Sequence, residues 1–103
     1  MKCILKEIGK PAALEQLAEE LIEAAHAALK LARILRKENP TPASETDTRN
    51  SLQEEIGDIN LCLSVLEPYV SLYHPVTKAT MIEKADRWRK RLEDAKAVLT
   101  DGE

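Results

Sequence analysis

Four carboxylates stand in two pairs of the same spacing: Glu20 and Glu23 in "AEELIEAAHAAL", and Glu55 and Asp58 in "LQEEIGDINLCL". On a helix, a separation of three projects both members of a pair from neighbouring positions on one face. The residues around them indicate which face. Drawn at about 100° per residue, Glu20 falls against Leu17, Ala24 and Leu31, and Glu55 falls within the arc of Ile59, Cys62 and Leu66, with Asp58 at its edge. Acids gathered at an apolar border repel one another and are costly to desolvate, so they need protons, cationic side chains or a bound cation. Oxygen-rich side chains facing across a helix pair suit Mg2+ or Mn2+, hard ions that prefer carboxylates and keep waters for a substrate or a reaction. The competing reading is of ordinary solvent-facing acids, because glutamate is common in helices.

The elements that must position these acids are helical. Pro11 opens a first helix that reads to about Lys37, with Leu14, Leu17, Leu21, Ala25, Ala28, Ala32 and Leu35 in one broad stripe. Ala24, Ala27 and Leu31 widen it on one flank, Ile22 and Leu29 on the other, and such breadth implies more than one packing neighbour. "ENPTPASETDTR" interrupts the pattern, and a second helix starts at Ser44 or Ser51, with "SLQE" as a candidate capping box, and ends near Glu67 before Pro68. "YVSLYHPV" reads equally as a short helix or an ordered loop. A third helix starts at Thr77 or Thr80 and buries Met81, Ala85, Trp88, Leu92, Ala95 and Leu99 on one face. The expectation is an all-α fold, a single domain over 1–103 with helices at about 11–37, 46–67 and 78–99, its small bundle completed by self-association.

Charge narrows the function classes. The chain of 103 residues has a formal charge of -3, and 3% of its residues are aromatic, which is not the profile of a basic nucleic-acid binder. Its positive charge is concentrated late: residues 76–99 carry seven Lys or Arg against four acids, whereas residues 1–75 carry eight against twelve. Cys3 and Cys62 form neither a disulfide framework nor a metal-binding pair, and Cys62 reads as a reduced, packed thiol. No cleavable signal segment and no membrane-spanning apolar run is read, so the expected compartment is the cytoplasm.

"EELIE" followed by "EIGD" resembles the paired E-E-x-x-E and E-x-x-D motifs of the MazG-like all-alpha nucleoside triphosphate pyrophosphatases, a group related to dimeric all-alpha dUTPases. "LAEELIEAAHAALKLARILRKENPTP" and "EKADRWRKRL" are similar to the same group, and the resemblance runs from about Leu14 to Leu92. It implies magnesium held by Glu20, Glu23, Glu55 and Asp58, with Mn2+ as a substitute. It further implies hydrolysis of a nucleoside triphosphate between the alpha and beta phosphates, giving monophosphate and pyrophosphate, in a homodimer or homotetramer. Two departures stand out: the 31 residues between Glu23 and Glu55 exceed the usual gap, and aromatic residues to line a base pocket are few.

In that reading Glu20 or Glu23 orients or deprotonates the attacking water. Glu19 points away from the stripe and reads as a solvated residue. Lys84, Arg87 and Arg91 flank the apolar face of the third helix and are candidates for the phosphate chain; Lys30 and Arg33 are further candidates after the first motif, and all five also read as ordinary surface cations. Trp88 is either core or a wall for the base. His26 reads as a surface or interface residue and His74 as part of a loop. Two rivals remain: a catalytically inactive helical oligomerisation or regulatory binding module, and a related phosphohydrolase acting on dUTP or another phosphorylated metabolite.

Overall fold

The computed structural model describes residues 3–38 and 44–101. Among these residues there are four helices and no strand: α1 Ile4–Ile8, α2 Lys10–Arg36, α3 Glu45–Leu66 and α4 Pro75–Asp101. The fold class is therefore the expected one, a small all-α helical bundle. The chain divides into two compact units, Met1–Ser71 and Leu72–Glu103, the first holding α1 to α3 and the second α4.

Helix α1 was not expected, because five residues are too few to carry a helical period. It buries Leu5 and ends at Gly9, whose φ of 86° lies where L side chains are strained. The Gly9 amide donates to the Leu5 carbonyl at 2.8 Å and its own carbonyl accepts from Ala13 at 3.1 Å, so one glycine closes α1 and opens α2. Pro11 sits in the first turn of α2, where a missing N–H costs nothing. At the far end Lys37 turns left-handed at φ 58°, and the amides of Lys37 and Glu38 close back on Ile34 and Arg33.

Ser44, not Ser51, caps α3. Its hydroxyl accepts from the Asp47 amide at 3.0 Å, and Thr48, buried at 4% exposure, donates to the Ser44 carbonyl at 2.9 Å. Ser51 lies inside the helix, donating to the Asp47 carbonyl at 3.1 Å, so "SLQE" does not open it. Ser44→Ala is expected to cost about 1 kcal/mol in chemical denaturation, and Ser51→Ala no more than about 0.5 kcal/mol. After α3 the amides of Tyr69 and Val70 both turn back to the Leu66 carbonyl, and "YVSLYHPV" proves to be turns leading into α4. His74 caps α4: its Nδ1 accepts from the Val76 amide at 3.2 Å, and Pro75 follows as the first helical residue.

Helices α2 and α3 pack as an antiparallel hairpin along a seam of alternating four- and three-residue steps. The seam takes Ala13, Leu17, Glu20, Ala24, Ala27, Leu31 and Ile34 from α2 and Thr48, Leu52, Glu55, Ile59, Cys62 and Leu66 from α3, all buried or half-buried. Leu5, Ala13 and Leu66 form its most buried part, with Leu17 and Val65 against them. This seam lies on the alanine flank of the expected stripe. Small side chains there let α3 approach closely, whereas Leu14, Leu21 and Leu35 stay 41%, 49% and 58% exposed.

On α4 the expected burial is not found. Met81, Trp88, Leu92 and Leu99 are each more than half exposed, and Ala85 and Ala95 are exposed as well. Apolar periodicity identifies a face that gains from burial, without supplying what covers it. Trp88 is therefore not a core residue in the single chain. Among the described residues no helix is long and apolar enough to cross a membrane.

Candidate metal centre

Halfway along the α2–α3 seam the apolar pattern is broken from both sides. Glu20 enters from α2 and Glu55 from α3, both half-buried, with Glu23 exposed beside them. One carboxylate oxygen from each of the three lies within 4.8 Å of the others. That spacing suits a shared ion, since oxygens each about 2.0–2.6 Å from one cation stand up to roughly 4–5 Å apart. The three carboxylates thus form a group able to hold a divalent cation.

The fit is supported by two oxygens. Oε2 of Glu20 and Oε2 of Glu55 are buried and make no hydrogen bond. Buried carboxylate oxygens without partners are costly, and a proton or a cation is what relieves them. A proton is already favoured: burial, then a hydrogen bond to Glu23, then the charges of Glu23, Asp58 and Glu20 push the Glu55 carboxyl up to about 7. A cation at this centre would compete with that proton.

A residue that the stripe reading did not single out completes the geometry. Gln16, one turn before Glu20, donates from Nε2 to Glu20 Oε1 at 2.9 Å. The clue in the sequence was a Gln–Glu pair at i,i+4, a spacing that brings such side chains together on any helix.

The other expected site residues are distributed differently. Asp58 is exposed on α3 and outside the three-carboxylate group, although its charge is felt at both Glu55 and Cys62. Burial first, then the charges of Glu20 and Asp58, pushes the Cys62 thiol up, so it remains protonated beside the acids rather than offering a thiolate. Glu19 is exposed. Lys30 and Arg33 are exposed on α2; Lys30 and His26 line a shallow cleft with Asp47, Thr48 and Ser51 of α3. On α4, Lys84, Arg87, Trp88 and Arg91 line one open depression of about 340 Å³.

Compared with known proteins, the chain matches no family model, no curated protein and no solved structure.

Proposed function

We propose that the Glu20–Glu23–Glu55 centre holds Mg2+, with Mn2+ able to substitute, and that the chain hydrolyses nucleoside triphosphates to monophosphate and pyrophosphate. The observation that carries this reading is the convergence of three acids on one point of the seam, two of them with buried, unpartnered oxygens. The order of those acids along the chain is the one that the resemblance to MazG-like pyrophosphatases implies. A divalent cation, when bound, neutralises phosphate oxygens and lowers the pKa of a coordinated water.

The side chains divide the remaining work. Glu20 and Glu55, half-buried, anchor the ion. Glu23 is exposed, so substrate and water reach it, and it is the carboxylate assigned to orienting the attacking water. Asp58, outside the three-carboxylate group, is kept as a fourth ligand by the resemblance alone. By the resemblance alone, Lys84, Arg87 and Arg91 of α4 are assigned to a phosphate chain and Trp88 to a base. Lys30 and Arg33 are secondary phosphate contacts. The exposed Leu14, Leu21 and Leu35 and the apolar residues of α4 favour assembly as a homodimer or homotetramer. Free Cys3 and Cys62 suit the reducing cytoplasm.

The same exposed apolar surface favours a second reading, an inactive helical oligomerisation or regulatory module. Product analysis separates the two. With Mg2+ or Mn2+ and a panel of ribo- and deoxyribonucleoside triphosphates, monophosphate and pyrophosphate are expected in equal amounts. Folded Glu20→Gln protein is expected to release neither. Free phosphate as the product, or no product from any nucleotide with either metal, would overturn the reading.

A further inference from the structure

Gln16 is not among the cation-binding acids, yet its side chain is bonded to one of them. A Gln–Glu pair at i,i+4 on an ordinary helix surface leaves the second carboxylate oxygen in water. Here the amide holds Oε1 of Glu20 at 2.9 Å while Oε2 is buried and unpartnered in the seam. One oxygen of this carboxylate is thereby satisfied and the other is buried without a partner, in a side chain that converges with Glu23 and Glu55. A carboxylate free to rotate would turn Oε2 out to solvent and lose the cluster geometry. Gln16, exposed on α2, also borders an otherwise apolar cleft of about 160 Å³ with Ile4, Ile8, Leu61, Cys62 and Val65.

From this geometry we infer that Gln16 is a positioning residue for the cation centre, acting through its hydrogen bond to Glu20. This inference rests on the cation-binding reading of the centre and not on the nucleotide chemistry. Hydrogen-bond partners of metal ligands typically contribute about 10–100-fold to metal affinity. Gln16→Leu keeps the size and suits the apolar cleft while deleting the donor. Gln16→His returns a ring N–H to nearly the same place.

The experiment follows free Mn2+ by its electron paramagnetic resonance signal as each protein is titrated, with melting curves recorded without metal. The expected result is wild-type binding, Gln16→Leu weakened about 10–100-fold with its metal-free melting temperature unchanged, and most of the loss recovered in Gln16→His. Equal affinity in wild type and Gln16→Leu would overturn the inference while leaving the centre intact. So would a weakened Leu variant that His does not rescue, because that pattern marks a packing role alone. No binding by the wild type would overturn the centre, and this inference with it.

Discussion

Glu55→Gln is expected to abolish cation-dependent stabilisation and, in the same protein, to make the metal-free chain more stable than the wild type above about pH 7. Both effects follow from one oxygen atom in the seam. With its carboxyl pushed up to about 7, Glu55 in the folded chain keeps a proton that the unfolded chain, at the ordinary value of 4.5, has already released. Below about 4.5 the carboxyl is protonated in both states and contributes its full stability. As pH rises from there through about 7, wild-type stability falls, because the folded state must give up a proton it binds more tightly. Above that window the wild type carries the buried negative charge and its repulsion from Glu23, Asp58 and Glu20.

Glutamine carries neither the charge nor the titration, so thermal melts of the variant without metal should be flat across the window where the wild type declines. Addition of Mg2+ should then separate the proteins in the opposite direction. A cation at a hundredfold excess over its dissociation constant stabilises the wild type by about 2.7 kcal/mol and leaves the variant unmoved. A variant that melts lower than wild type at pH 8 without metal would show that the Glu55 charge carries no penalty, and one that gains as much from Mg2+ would show that Glu55 is no ligand.

Leu66→Ala is expected to carry the largest stability loss, about 3–5 kcal/mol. Leu66 is 1% exposed, and only Leu5 and Ala13 are comparably buried among the apolar residues described. Its side chain joins the end of α3 to the start of α2 and to α1, and its carbonyl receives the two amides that turn the chain after the helix. A cavity there has few neighbours able to collapse into it. Urea denaturation followed by helical circular dichroism should show the midpoint drop sharply. A loss below about 1 kcal/mol, the ordinary size of a point-mutant effect, would mean that burial in the α2–α3 hairpin is not what holds it.

The acids were more legible in the sequence than the surface on which they sit. Glu20 and Glu55 stood out because each interrupts an apolar arc, and both lie in the packed seam. Glu23 was found by its spacing from Glu20, and it joins the cluster although it is exposed. Asp58 shares that spacing from Glu55 but stays outside the three, because spacing fixes a direction from the helix and not the reach across to α2. The seam itself was displaced by one flank: hydrophobicity weights leucine, whereas close approach of α2 and α3 is decided by the smaller alanines. For α4 the apolar period predicts a buried face that the structure does not show, because what a face packs against is not encoded in its period. Helix α1 and the His74 cap escaped because each depends on a few residues whose role appears only once the chain has turned.

Proton release on cation binding is the decisive measurement for the Glu20–Glu23–Glu55 centre. Mn2+ is titrated into the metal-free wild type at about pH 6 and about pH 8.5, with released protons counted by pH-stat. Saturable binding is expected at both values, with the apparent affinity higher at the upper one. Close to one proton should be released per site near pH 6 and almost none near pH 8.5, because Glu55 loses its proton between them at about 7. Absence of saturable binding, or release that does not depend on pH, would contradict a cation centre built on Glu20, Glu23 and Glu55.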